Sequence, residues 1–527
     1  MSRFLVAVFI CTVAFAQTKS PDLCVPPPSG SAPALPAHIM TGQGTVHFPI
    51  TTPNPKAQEF FDQGMAQLHS FWSVEAERSF LQAAELDPEA PMPWFGVAMV
   101  SAGDYRPRHQ LEGSYSGAPS ARAIAAAQRA VALSTKASDL EKMYIAAIAA
   151  RRMPGHASAD EGYITALRAI VAKYPHEVEA RLFLSLHLMR GFELPSRTPR
   201  EFSMESVDIL RALLKEAPEH PGVHHYVIHA WEGSSFAKDA WPSCEKYAQL
   251  VTNIPHALHM PGHIYAQTGR LVDAEKSFSD AAVNELGYIH ADALYGTGHH
   301  GHNVHYLSTA YAFDGQYDKA KAEARSLLEF KENPRELAQA DGFFSAHRQG
   351  WFALMRAMVL SEDWDEILDG KSLPVYDRPR EQAWRHWAMG LALASKGNPI
   401  AANEELRKMD AALGQYEAIV KQKRPEELSA ARAELMGHLE VAEGKVSKGL
   451  KTLENASKMQ RKLRYSEPVR YPRPVAEALG EVALRHGKRS MAESAFRSSL
   501  EEMPGSARSV NGLRDAEKGA GKQAGVE

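Results

Sequence analysis

Cysteine is scarce: 527 residues contain three, Cys11, Cys24 and Cys244. That excludes a disulfide-dense scaffold and a thiolate metal cluster. Any metal in this chain must be held by nitrogen and oxygen. An excess of one charge sign is missing too. Lys and Arg number 59 against 63 Asp and Glu, with a net charge of −4 and a pI near 6.7. This balance argues against nucleic acid or an anionic membrane surface as the main partner. Beyond the N-terminus no stretch approaches about 18 uninterrupted apolar residues, so no internal segment reads as a membrane span. A phosphate-binding glycine loop, G-x-S-x-G and H-E-x-x-H are all absent, so none of the chemistries those motifs carry is signalled.

The first residues read as a secretory signal peptide over 1–16. Arg3 supplies the basic start, Phe4 to Phe15 the short apolar stretch, and Ala14-Phe15-Ala16 the small-x-small cleavage site. The expected location is therefore periplasmic or secreted, with no membrane span after cleavage. The alternative is an uncleaved anchor. Cys24 and Cys244 remain after cleavage and can pair in an oxidising compartment only if the fold brings them together. Residues 17–55 are rich in Pro, Ser, Thr and Gly and predict an extended lead, with a short ordered piece at Gly44 to Ile50.

What the chain has in abundance is histidine. Of 23, twelve fall between His220 and His305. The same region carries a repeat signature: Gly262, Tyr265, Gly269, Ala274, Phe278 and Ala281 follow the LG-x2-Y…A-x3-F spacing of tetratricopeptide helix pairs. Phe60, Gly64, Ala76 and Phe80 match near the start, and Gly480, Gly487, Ala492 and Phe496 near the end. The predicted fold is all-α, a solenoid of helix-turn-helix repeats behind the Pro-rich lead, because single helix pairs cannot bury their apolar faces alone. The expected divisions are 56–220, with a loop insertion at 101–122; 221–330, carrying the histidines; 331–517; and a disordered tail over 518–527. Leu327 to Gly350 reads as a charged helical stretch, and Gly296 to Gly301 as a flexible loop.

Helical spacing fixes where the histidines point. His256, His259 and His263 are spaced i, i+3, i+7 and form one stripe. One repeat of about 34 residues earlier stand His225 and His229, and one helix pair later His302 and His305. These positions line the concave groove of such an array. His225/His229 and His259/His263 are each H-x3-H pairs. Helices packed roughly 8–10 Å apart let both pairs reach a common point. Four nitrogens suit Zn or Cu; an added carboxylate suits Fe or Mn. Glu232 is the nearest acid, as ligand or second-sphere acceptor. His302 and His305 lie one helix further on, so a dinuclear arrangement sharing the middle helix is a second possibility. His299 and His300 can close over the site from their loop. Pro261 stands inside the stripe, where a helical proline costs about 3 kcal/mol. Either the strain is functional or the helix begins late, near Pro261.

The segments HHYVIHAWE, PHALHMPGHIY and HNVHYL, with AQEFFDQGMAQLHSF and YSEPVRYPRPV, resemble a subfamily of exported bacterial tetratricopeptide proteins. The resemblance spans most of 40–510. It implies a fold and a site but no reaction, and the subfamily's second acidic residue after the first histidine motif is replaced here by Gly233. Three readings of the histidines stand side by side: a transition-metal site of Zn, Cu, Fe or Mn with a Lewis-acid or redox role; a groove that docks a protein, peptide or anion; and a structural polar network. His220 reads as a turn residue and His224 as a core one. Trp384 and Trp387 read as core packing before ligand stacking.

Overall fold

Apolar residues recur at helical spacing from Ala57 to Ala516, and the chain folds as consecutive α-helices connected by short turns. The computed structural model describes residues 36–111, 120–152, 159–292, 295–331, 345–421, 423–463, 466 and 468–518. The signal segment, Cys24 and the tail from 519 lie outside them. Among the described residues no helix is long and apolar enough to cross a membrane.

The repeat signature works through close packing. Within the pair Pro255–Gln267 and Leu271–Ala291, a methyl group at Gly262 would sit 2.5 Å from the Phe278 ring. Only glycine lets the two helices approach that far. Gly64 against Phe80 and Gly480 against Phe496 repeat the contact in the first and last pairs. Each phenylalanine is fully buried, a contribution of about 2–3 kcal/mol apiece. Gly269, at a φ of +81°, makes the turn inside the histidine-bearing pair.

The lead is a strap. Residues 36–54 carry no helix, yet Val46 and Phe48 are buried, and Gln43 donates to the Asn253 carbonyl at 2.7 Å. The strap ends at Asn54, whose side chain caps the first helix, Pro55–His69. The insertion after Val100 folds inward. Its Asp104 accepts from Arg151 and Arg152 at 2.5–2.8 Å, with all three buried. A short helix, Arg108–Leu111, follows; 112–119 lie outside the described residues. A two-residue hairpin pairs Phe192–Glu193 with Thr198–Pro199. The C-terminal repeats come back against the middle of the array. Arg197 donates to the Glu501 carbonyl at 3.1 Å, and Pro504 packs on Gly269.

Two expectations need correction. The charged stretch 327–350 is not one helix: Tyr317–Glu329 ends with Phe330 extended at its C-cap, a new helix runs Ala346–Ser361, and 332–344 lie outside the described residues. The loop expected at 296–301 is helical from Gly298, because the buried faces of His299 and His302 share one helix side.

Two outcomes follow from this packing. Gly480→Val lowers stability by about 1–3 kcal/mol through overpacking on Phe496, read as an earlier thermal or urea midpoint; an unchanged midpoint contradicts the close approach. Asp104→Asn strands two buried guanidinium groups and costs about 3–5 kcal/mol at neutral pH. Burial opposes the Asp104 charge, but Arg151 and Arg152 outweigh it and hold the carboxyl well below its usual range. Its stabilisation is therefore present above the unfolded pKa of about 3.9 and fades as pH falls through the lower folded value. The gap between wild type and Asp104→Asn should narrow in acid, and a gap constant with pH would refute the assignment.

Candidate metal centres

Three helices carry the histidines: Pro221–Trp231, Pro255–Gln267 and Gly298–Phe313. His220 caps the first, its Nδ1 accepting from the Gly222 amide at 3.1 Å, and Pro221 takes the first helical position. The second helix runs without interruption through Pro261, so His256, His259 and His263 share one helix. The late start near Pro261 is ruled out. The stripe is not an open groove, however. His225, His229, His256, His259, His263 and His302 are all buried. The groove is filled from the other side by Phe71, by the inward insertion, and by the next helix.

Two groups form, each with three imidazole nitrogens within 4.8 Å of one another. The first is His225, His229 and His256. The second is His259, His263 and His302. Each H-x3-H pair is thus completed by one histidine of the following helix, and the two pairs do not meet in a single group. The middle helix contributes to both.

In the first group the outward nitrogens are already engaged. His225 Nδ1 donates to the His69 carbonyl, and His229 Nδ1 donates to Glu232 Oε2 at 2.9 Å. His256 Nδ1 lies 3.4 Å from His299 Nε2. The Nε2 atoms of all three are buried and have no hydrogen-bond partner among the described residues. A carboxylate or carbonyl at Nδ1 fixes the proton there and leaves Nε2 with its lone pair inward, as in metal-ligating histidines. Burial, followed by neighbouring imidazoles, pushes His225 and His256 well below the usual histidine range, so both are neutral. Burial works against the Glu232 charge, but His229 and His109 outweigh it and keep the carboxylate ionised. Glu232 therefore stands behind His229. Gly233, at a φ of +74°, donates its amide to Gln267 Oε1 and turns the chain away.

In the second group, His302 Nε2 lies 3.2 Å from His259 Nε2, and His263 Nε2 also points at His259 Nε2. An N–H···N bond needs one protonated and one bare nitrogen. Three mutually adjacent ring nitrogens cannot satisfy every pairing. Burial and then the neighbouring imidazoles hold His259 and His302 well below the ordinary value. Tyr306 packs 4.8 Å from His263 and 5.0 Å from His302, and Phe278 5.0 Å from His259.

His305 joins neither group. Its Nε2 accepts from Arg356 Nη1 at 2.9 Å, on the helix Ala346–Ser361. His69 and His220 both bind Glu179, at 2.5 and 3.0 Å, and His69 also meets the Tyr226 hydroxyl. That third cluster is internally satisfied and braces the first helix against the array. His224 is a core residue, bonded to the Pro218 carbonyl at 2.8 Å. Trp384 and Trp387 are fully buried in the second core.

The sequence reading put His299 over the site but on a loop, and three further residues escaped it. His299 sits between the groups, its ring 5.6 Å from His256 and 5.8 Å from both His259 and His302, with Nδ1 on Glu285 at 2.8 Å. Its i, i+3 spacing to His302 was the available signal. Phe71, a non-glycine residue at a φ of +52°, lays its ring 4.5 Å from His225 and 5.4 Å from His229. Bulky residues adopt that backbone only under constraint. Gln110 Nε2 lies 3.2 Å from His229 Nδ1. The Arg106 guanidinium stacks on the Phe71 ring, 4.9 Å from its centre. Nothing in the local sequence marks these three.

A cavity of 480 Å³ borders the second group, reached through His263 and Tyr306. The first group does not line it.

No protein-family model and no curated protein matches the chain. Solved structures that align with most of it include the APC/C hetero-tetramer Cut9-Hcn1, at 12% identity over 87% of this chain and 76% of the other, TM-score 0.30. Yeast Tom70 aligns at 10% identity over 90% of each chain, TM-score 0.28. The human IFIT1 dimer with m7Gppp-AAAA aligns at 11% identity over 89% of this chain and 91% of the other, TM-score 0.34. The helix-pair fold is read from this chain's own glycine–phenylalanine contacts.

Proposed function

We propose that this protein is an exported metal-binding repeat protein whose buried histidine row holds two transition-metal ions, one in each tri-histidine group. The observation that carries the reading is the convergence of His225, His229 and His256. Their three buried Nε2 atoms lack partners among the described residues, while Nδ1 of His225 and His229 is held by an acceptor. An unsatisfied buried polar atom costs about 1–3 kcal/mol, and three facing each other are far more economically explained by a shared cation. The neutral state of His225, His256, His259 and His302 is the state that ligates.

The donors are all imidazole, with Glu232 and Glu285 one step behind. That set favours Zn or Cu over Mn, and over Fe, which takes a carboxylate in its usual three-residue site. The first centre is enclosed and suits a structural role. The second borders the cavity through His263, leaving a side from which a small molecule can approach. A metal ion held there supplies Lewis-acid activation of water or of a bound group. The protein's own part is to hold His259 and His302 neutral and to pack His259, His263 and His302 against Phe278 and Tyr306. Docking of a peptide along this stripe needs exposed histidines, so any protein partner is held by other surfaces of the array. Periplasmic or secreted location belongs to the same proposal and rests on the N-terminal sequence.

Elemental analysis of untagged protein should find about two equivalents of Zn or Cu per chain. The triple variant His225→Ala, His229→Ala, His256→Ala should lose about one, and His259→Ala, His263→Ala, His302→Ala the other, with helical circular dichroism retained in at least the second. No metal in wild type, even after reconstitution, sinks the proposal.

A further inference from the structure

In the first group His225 and His229 each turn Nδ1 onto an oxygen, the His69 carbonyl and Glu232. His256 Nδ1 instead faces a second imidazole, with His299 Nε2 at 3.4 Å. Two imidazoles pair only when one nitrogen of the contact carries a proton and the other is bare. Which of the two is bare decides whether His256 presents a lone pair or a proton to His225 and His229.

Glu285 decides it. This buried residue stands on the helix Leu271–Ala291, and its Oε2 meets His299 Nδ1 at 2.8 Å. A carboxylate accepts and does not donate, so the His299 proton is drawn to Nδ1. Asn303 lies one turn beyond His299 on the same helix face and is fully buried. Its Nδ2 donates to the same Oε2 at 2.8 Å and fixes the carboxylate in place. With one proton on the His299 ring, Nε2 is bare and accepts from His256 Nδ1. The lone pair of His256 is then on Nε2. That atom is buried and has no hydrogen-bond partner among the described residues. The chain of contacts joins three helices, because Glu285, His299 and His256 stand on Leu271–Ala291, Gly298–Phe313 and Pro255–Gln267.

We propose that Glu285 and His299 are positioning residues for the first centre: Glu285 sets the tautomer of His299, His299 sets that of His256, and His256 Nε2 is thereby presented as the third ligand beside His225 and His229. His299 acts through His256 and is not itself a ligand. The ion that His256 would hold rests on the metal reading above. The proton order along Glu285, His299 and His256 is independent of it.

Zinc affinity of the first centre is measured by competition with a chromophoric chelator in the background His259→Ala, His263→Ala, His302→Ala, which leaves one centre. His299→Leu removes the acceptor and should weaken zinc by about 10–100-fold, the range for a lost partner behind a ligating histidine. Glu285→Leu should act in the same direction. His299→Gln places an amide oxygen where Nε2 stood and should restore most of the affinity. Pulsed electron paramagnetic resonance of the copper(II)-loaded protein should count the same number of bound imidazoles with and without His299→Leu. Nitrogen-15 NMR of chelator-treated wild type, with the His256 signals assigned by difference against His256→Ala, should find the His256 proton on Nδ1. Unchanged affinity in a folded leucine variant, equal loss in His299→Leu and His299→Gln, an imidazole ligand lost with His299, or a His256 proton on Nε2 overturns the proposal. If the leucine variants do not fold, the NMR of the wild type decides. Metal uptake with the proton on Nε2 removes the relay and leaves the metal reading standing. A proton on Nδ1 in a protein that takes up no metal does the reverse.

Discussion

Imidazole nitrogens that face one another in a water-free interior are the constraint around which this structure is arranged. Neutral histidine has one donor and one acceptor. Where the donor is spent outward on a carbonyl or carboxylate, as in His225 and His229, the inward lone pair has to be matched from the centre. Burial keeps His225 and His256 neutral, so mutual repulsion between those two rings does not arise near neutral pH. The same burial makes the unmatched lone pairs costly. Both effects come from the packing, and a bound cation answers both at once.

The repeat architecture makes that packing possible. Gly262 lets the middle histidine helix settle against Phe278, and Phe278 in turn lies beside His259 and His263. A residue chosen for helix-pair packing therefore also forms a wall of the second group. Likewise Phe71 follows the first helix directly, and its left-handed backbone carries the ring into the gap between His225 and His229. Arg106 stacks on that ring. The Asp104 anchor explains why: two buried arginines fix the segment from which Arg106 and Gln110 project. Stability elements far from the imidazoles thus set their geometry.

Much of this was legible beforehand. The helix pairs and the residues carrying nitrogen follow from spacing, because a 3.6-residue period maps sequence positions onto faces. What spacing does not reveal is the partition. The pairs His225/His229 and His259/His263 look equivalent along the chain and suggest one four-nitrogen site. In space each is completed by His256 or His302, because the middle helix lies between two neighbours and its stripe is long enough to serve both. His305 was placed at a groove position by the same rule and instead accepts from Arg356 on a helix more than forty residues later. Contacts at that separation have no local signature. His299 was assigned to a loop on the strength of its flanking glycines, yet the helix begins at Gly298. There the burial of His299 and His302 overrides weak helix propensity.

The two groups are alike in donors but not in surroundings, and that asymmetry decides what each can do. The first is closed by Phe71, Arg106 and the Glu232–His229 contact, and no side of it reaches the cavity. An ion there would tie three segments together and order the array, much as a structural metal does in a smaller domain. The second has His263 and Tyr306 on the cavity wall. Its third dimension is built by chain from the far C-terminus, where Met503 and the Glu501 carbonyl come to Leu271 and Arg197. The open centre is therefore complete only when the array has wound back on itself. A chain truncated before Val475 would keep every histidine of both groups and lose the part of the cavity wall formed by Glu501, Glu502 and Met503.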